Sequence, residues 1–411
     1  MKRKREIEKL RGTIKKIQIF DILEVVHDHT GFLDCFELVN PDYHGHLLSD
    51  GKRKTLAQVT LLALGMNVGL NGIANSIGKD HIFGQLRNFS ENYLSIGNLE
   101  SALRCLIQVW DLRGYGSPLG SGKSCSSDGK VMFSYLTNLK ARFHYRKGKM
   151  GLTIYWFIRD DWLGINVLVI GNDEWESWYV LDGLMTAYCQ ELVKQSCGDT
   201  QAQLLALWGI GHLIGFDVRA RFRRIKTVKL FKSGEDFSVS PLSGVEVIDW
   251  DLIKKCLPSL FRLSDAIQSG NLESKPYLST WNFYDEDGNN LGDGLRELGK
   301  VSRTRFILRY LMDESLQQDL QAGCNRSEFW NNFHRAVFWG RGGVISTQDP
   351  IRQQVTALCL MLLMNSIVFY NKAELGLTME ECLGDIMASP VFWSHINFLG
   401  EYHIGLSGES K

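Results

Sequence analysis

Two hydrophobic periodicities divide this chain near residue 120. From Phe20 to about Trp110 the apolar positions recur at helical spacing. Leu56, Val59, Leu61, Leu62, Leu64 and Met66 form one segment, and Leu103, Leu106, Ile107 and Trp110 follow an i, i+3, i+4 pattern in another. Asn67, Gly69, Asn71 and Gly72 break the pattern between helices. A Gly- and Ser-rich stretch, residues 114–127, marks a boundary, and the period then changes. Residues 131–135, 141–145, 152–158 and 165–170 are rich in β-branched and aromatic side chains, punctuated by Gly148, Gly151, Asp160 and Asp161. Helical spacing returns over 181–193 and 204–214. From Trp250 onward the reading is nearly all helix, apart from a polar loop at 285–294. Consecutive strands followed by alternating helix and strand predict an α/β protein, a mixed sheet flanked by helices.

Composition adds limits rather than identity. The 411 residues are enough for a large core, and Lys+Arg and Asp+Glu both count 46, so any charged surface is local. Nine cysteines without a C-x-x-C spacing point to a reducing cytosol and small core thiols. No apolar run follows the basic start, so no secretory signal is read. The most apolar stretch, 355–370, carries Thr356, Asn365 and Ser366 and is short of the roughly 20 residues a bilayer needs. It predicts a buried helix and no membrane partner.

Two basic clusters stand out. Eight of the first sixteen residues are Lys or Arg, which suits either a DNA-touching arm or a solvated helix face. Residues 219–232 hold seven basic side chains in fourteen, including Arg219, Arg221, Arg223, Arg224 and Lys226, with Phe222 and Phe231 among them. Guanidinium groups suit bidentate phosphate contact. A solvated edge strand is the plainer alternative.

Three acids sit in suggestive local sequence: Asp128 in Ser126-Ser127-Asp128-Gly129, Asp199 in Gly198-Asp199-Thr200-Gln201, and Glu328 in Asn325-Arg326-Ser327-Glu328. Taken singly, each has an ordinary explanation. Asp128-Gly129 is turn chemistry, Asp199 suits a helix N-cap, and Glu328 suits the start of a helix whose Phe329, Phe333, Val337 and Phe338 are spaced for a core face. Taken together, they would make a carboxylate cage for metal-dependent phosphoryl transfer. Other motifs fail on spacing. Gly122-Lys123-Ser124 lacks the P-loop glycine at Ser117 and precedes a strand. Asp285-Glu286-Asp287-Gly288 has Asn290 and Arg296 where a calcium loop needs Gly and Glu. His27, His29, His44 and His46 have no third ligand nearby in sequence.

Ordered motifs along nearly the whole chain resemble one family, the replicative DDE transposases of the Tn3 family. They include His29-Thr30-Gly31-Phe32-Leu33-Asp34, Leu64-Gly65-Met66-Asn67-Val68-Gly69-Leu70, Ser126-Ser127-Asp128-Gly129 and Val180-Leu181-Asp182-Gly183-Leu184. Asp199-Thr200-Gln201-Ala202-Gln203, Ile248-Asp249-Trp250-Asp251-Leu252-Ile253, Leu295-Arg296-Glu297-Leu298-Gly299, Asn325-Arg326-Ser327-Glu328 and His395-Ile396-Asn397 follow in order.

The resemblance implies an RNase H-like mixed-sheet catalytic domain over 121–411, with a largely helical insertion at approximately 217–310 and a helical N-terminal region over 1–120. It implies Asp128, Asp199 and Glu328 as catalytic, metal-holding acids, with Glu328 favoured over Glu297. It also implies two Mg²⁺ ions with Mn²⁺ as a substitute. The partners it implies are transposon-end and target DNA, with a homodimer on DNA, in the cytoplasm at the nucleoid. It implies too that the matched portion is the C-terminal catalytic one, with the end-recognition region absent. Gly198 stands where the family often has Thr, and Ala220-Arg221 where it has Pro-Arg. Two rival expectations remain: a non-catalytic DNA-binding relative that competes with a full-length transposase, and, more remotely, a glycoside hydrolase using paired carboxylates.

Overall fold

The computed structural model describes residues 16–40, 43, 45–78, 81–117, 119–135, 138, 140–145, 148–187, 193–198, 204–222, 225, 228–234, 243–383 and 404–405. A short strand, β1 (Ile17–Gln18), pairs in parallel with β10 (Ile404–Gly405). Five helices follow β1: α1 (Ile19–Thr30), α2 (Asp50–Gly65), α3 (Leu70–Ile77), α4 (Ile82–Asn92) and α5 (Ile96–Leu112). Ser95 caps α5 by accepting from the Asn98 N–H, and Gly31 closes α1 in the left-handed conformation. The helical spacing read from the sequence is reproduced, with Leu99, Leu103, Leu106 and Trp110 on the buried face of α5.

The sheet is built from β2 (Ser124–Phe133), β3 (Arg142–His144), β4 (Lys149–Arg159), β5 (Gly164–Gly171), β6 (Gln195–Gly198) and β7 (Asp217–Ala220). β4 is antiparallel to β2, β3 and β5, while β2, β6 and β7 run parallel. Its strand path is β3–β4–β2–β6–β7, and β5 pairs with β4 further along the edge that β3 also occupies. Short helices α6 (Val180–Met185) and α7 (Leu205–Leu213) link the later strands.

β2 departs from the sequence reading. It begins at Ser124, inside the Gly/Ser-rich stretch, and Asp128-Gly129 lies in mid-strand rather than in a turn. Small residues carry little strand signal, but here they have β4 on one side and β6 on the other. The rest of the stretch is pinned as well: Asp160 accepts from the backbone N–H groups of Ser121 and Gly122.

Beyond β7 the chain leaves the sheet. It forms a parallel pair, β8 (Leu230–Lys232) and β9 (Ser243–Val247), then α8 (Trp250–Gln268), α9 (Lys275–Ser279) and α10 (Leu291–Met312). In the polar loop at 285–290 the Asp285 carboxylate accepts from Asn289 and from Ser259 of α8, and Asn290 caps α10. α11 (Glu314–Val337) returns across the sheet.

The last long helix, α12 (Pro350–Leu383), packs against α1, α2, α5 and β5. It is long and apolar enough to cross a membrane, yet its apolar side chains from Leu358 to Phe369 are buried in the core. Its polar residues have local explanations. Asn365 both donates to the Gly164 carbonyl and accepts from the Gly164 N–H, at 2.8 and 2.9 Å. Gln354 donates to Val167 and accepts from Val169. These two amides cover the open edge of β5, which would otherwise expose unpaired backbone groups. Thr356 and Ser366 hydroxyls return to carbonyls four residues back.

A buried ion cluster ties α5 to the β4–β5 turn. Arg159, 1% exposed, donates to Asp161 and Asp111, and the Trp110 indole N–H donates to Asp161 at 2.8 Å. Burial opposes the guanidinium charge, but its two carboxylate partners prevail and raise its pKa.

Candidate active site

Alternation along β2 puts Ser126, Asp128 and Lys130 on one face of the sheet and Ser127 and Gly129 on the other. Directly opposite Asp128 on β4 is Trp156. The Trp156 ring meets Trp330 at 6.2 Å and His334 at 5.3 Å, both edge-on, so α11 lies over the Asp128 face.

One hydrogen bond fixes this arrangement: the Asn331 amide donates to Asp128 Oδ2 at 2.8 Å. Glu328 lies three residues earlier on α11. Residues at that spacing share a helix face, with Cβ atoms roughly 5–6 Å apart. Asn331 is buried, Asp128 is half-buried and Glu328 is exposed, so Glu328 stands at the open rim of the interface that Asn331 enters.

Close approach is possible because Gly323 sits where α11 crosses β6 and β2. A Cβ there would meet Cys197 Sγ at 2.8 Å and Ser126 Cβ at 3.7 Å. Glycine in mid-helix costs about 1 kcal/mol against alanine, and this contact accounts for its presence. The Cys197 thiol donates to the Leu320 carbonyl, joining β6 to the same helix. β6 runs parallel to β2 and ends at Gly198, one residue before Asp199. Asp199 itself lies outside the described residues, as do Arg223, Arg224 and Lys226.

Glu297 is the alternative third acid. It lies on α10, where Oε2 accepts from the Asp249 N–H at 3.0 Å and Oε1 accepts from Lys300 at 2.6 Å. Its carboxylate secures the start of α8. In the basic run, Arg219 is buried on β7 and donates to Asp217 at 2.8 Å, while Arg221 is partly exposed just beyond the strand. Phe329, expected on the core face of α11, is 51% exposed, and Trp330 takes the buried position with Phe333, Val337 and Phe338.

Sequence reasoning did not find Asn331 or His334. Both fall on the inward stripe of α11 with Ser327, at i, i+4 and i+7, among residues otherwise apolar. A polar residue on a buried stripe is the signal that marks them. Behind Asp128 they form a layer rich in unmatched polar atoms. Asn331 Oδ1, Ser327 Oγ, both His334 ring nitrogens and the Trp156 and Trp330 indole nitrogens are buried without a protein hydrogen-bond partner. Burial pushes the His334 imidazole down to about 3, and nearby Lys130 and Arg335 push it the same way. It is therefore neutral at physiological pH.

Among the described residues no three acidic, His or Cys side chains form a metal-binding group. The donors at this site nonetheless fit a divalent metal of the Mg²⁺ class. They are carboxylates, hard oxygen ligands, one oriented by an amide and the other exposed at the rim.

A profile of the Tn3 transposase DDE domain matches residues 21–402. The transposase for transposon Tn1546 of Enterococcus faecium is 28% identical over 404 residues, 95% of this chain and 40% of that protein. The transposase for transposon Tn3926 of Escherichia coli is 27% identical over 414 residues, 96% of this chain and 41% of that protein. The transposase for transposon gamma-delta of Escherichia coli (strain K12) is 22% identical over 412 residues, 96% of this chain and 40% of that protein. The chain spans about 40% of the length of these relatives. With a family match across almost all of its sheet and helices, this chain belongs to the Tn3 transposase DDE domain family.

Proposed function

We propose that this chain carries the catalytic centre of a DNA transposase, with Asp128, Asp199 and Glu328 as its acids. The reaction is hydrolysis of a phosphodiester at each transposon end, leaving a 3′-OH, followed by in-line attack of that 3′-OH on target DNA. The observation that carries the reading is the bond from Asn331 to Asp128, which joins the first acid's strand to the third acid's helix. A strand path of β5–β4–β2–β6–β7, with only β4 antiparallel, supports an RNase H-like core. The elements between β7 and α11 are read as the helical insertion.

Two Mg²⁺ ions held by the three acids would supply Lewis-acid stabilisation of the phosphoryl transition state. The protein's part is preorganisation. Asn331 holds the Asp128 carboxylate in one orientation, Gly323 lets α11 close on β2 and β6, and the Trp156–Trp330–His334 layer backs the acids with a rigid wall. Arg221, Arg223, Arg224 and Lys226 are assigned to DNA phosphates. Arg219 is committed to Asp217 and is a weaker candidate.

The test is joining of pre-cut transposon ends to target DNA in Mg²⁺. Asp128→Asn and Glu328→Gln are expected to lose joining by roughly 10³-fold, about 4 kcal/mol of transition-state stabilisation, while still binding DNA. Glu297→Gln should join normally. Loss of joining in Glu297→Gln with retention in Glu328→Gln would overturn the third-acid assignment. Wild-type chain that binds ends but never joins them would favour the non-catalytic competitor.

A further inference from the structure

Asp128 and Glu328 are each followed by chain that carries cations and no acids. Residues 129–159 contain seven Lys or Arg and no Asp or Glu, and residues 329–348 contain two Arg and again no Asp or Glu. Most of these cations that are described are engaged within the fold. Lys140 donates to the Val169 carbonyl, Arg142 has Asp173 at 3.5 Å, Arg159 holds Asp111 and Asp161, and Arg341 donates to the Ser346 hydroxyl. Two of them, Lys130 and Arg335, stand at the site.

Register brings these two together. Lys130 lies two residues beyond Asp128 on the same face of β2, the face that α11 covers. On α11, Glu328, Asn332 and Arg335 fall at i, i+4 and i+7 and make one exposed stripe. Gly323 lies over Ser126 and Asn331 reaches Asp128, so helix and strand advance in the same sense. One turn beyond Asn331 advances about 6 Å along the helix, at 1.5 Å per residue. Two residues beyond Asp128 advance about 7 Å along the strand, at 3.3 Å per residue. The pair that follows Asn331 with Asp128 is therefore Arg335 with Lys130. Their common neighbour agrees with this: burial, then Lys130, then Arg335 push the His334 imidazole down.

Lys130 is half-buried and Arg335 exposed. Arg335 donates to the neutral Asn332 side chain at 3.3 Å and meets no carboxylate among the described residues. Two cations at one rim repel each other, and an anion seated between them removes that cost.

We propose that Lys130 and Arg335 form a phosphate clamp that holds the transferred DNA strand about two nucleotides from the end addressed by Asp128 and Glu328. This rests on the transposase reading above. The offset of about 7 Å along β2 matches two stacked nucleotides, whose charges recur about every 3.4 Å per strand. In that reading one strand is cut and its new 3′-OH then attacks, so the strand has to stay at the acids between the two steps. Cations fixed on β2 and α11, the elements that carry two of the acids, retain it without entering the chemistry. Arg335 offers a planar fork to two phosphate oxygens, and Lys130 adds a point charge.

The test is joining of pre-cut ends by the full chain in Mg²⁺, with a single methylphosphonate moved along the phosphates nearest the 3′-OH of the transferred strand. Neutralising the phosphate about two nucleotides in should slow wild-type joining roughly tenfold. K130A/R335A should be slowed to a similar degree on unmodified DNA and lose nothing further with that methylphosphonate, while keeping the wild-type melt. R335K, which keeps the charge but not the fork, should lose less than R335A. Without divalent metal, K130A/R335A should lower the salt slope of end binding by about 2.

K130A/R335A that joins at the wild-type rate, or that remains as sensitive to the methylphosphonate as wild type, would overturn the clamp and leave the transposase reading intact. Wild-type chain that joins no DNA would overturn both. Arg335 is exposed, so R335A alone carries the same comparison if the double variant does not fold.

Discussion

Burial, reinforced by Lys130 and Arg335, pushes the His334 imidazole down to about 3, while an unfolded chain protonates histidine near 6.5. Between those values the unfolded state holds a proton that the native state lacks, so stability rises with pH. Acidification below about 6.5 should therefore cost about 1.4 kcal/mol per pH unit from this residue alone, until the folded value is reached. Denaturant unfolding of wild type and His334→Gln from pH 7 to 5 checks this, and a variant with an unchanged slope would show that the proton uptake lies elsewhere. Asn331 offers a second residue-scale test. Replacing it with Ala frees the Asp128 carboxylate from the amide that α11 presents to it. The expected effect is a 10- to 100-fold rise in the half-saturating Mg²⁺ concentration for joining, with a matching loss of Mn²⁺-induced thermal stabilisation. Unchanged metal dependence would make Asn331 a packing residue only.

At the scale of elements, α12 closes the sheet edge with side chains rather than with another strand. Asn365→Leu conserves volume but strands the Gly164 N–H and carbonyl, 201 residues away in sequence. A loss of about 1–3 kcal/mol per stranded group is expected, read from chemical unfolding, and a neutral result would mean that water reaches the edge. This is also where the sequence is most and least informative. Apolar spacing located α2, α5 and α12 and the cores of β4 and β5, because those elements bury one continuous stripe or run. It missed the start of β2, where Ser124 to Ser126 pair with β6 and Cys125 to Ser127 pair with β4, so that partners rather than their own preference hold them. It recognised Asn365 only as an interruption of an apolar run. The same blindness hid Asn331 and His334, whose meaning lies in what faces them across the sheet. Asp128 and Glu328 came from ordered motifs, since taken singly each resembled a turn or a helix-start acid.

On the scale of the whole molecule, net charge is zero while residues 129–159 and 219–232 carry local positive charge. Buried apolar residues of the N-terminal helices, the sheet and the later helices form one hydrophobic cluster. α12 is its hub, packed against α1, α2, α5 and β5. That position has a consequence for the order in which the chain is made. At roughly 5–20 residues per second, the ribosome completes α1 to α5 and the first acid's strand well before Pro350 appears. Until α12 emerges, the early helices have no hub to close on, and β5 has no cover for its edge. A nascent or prematurely terminated chain would thus lack the frame that holds Asp128 beneath α11, and finishing synthesis would become a condition for forming the site.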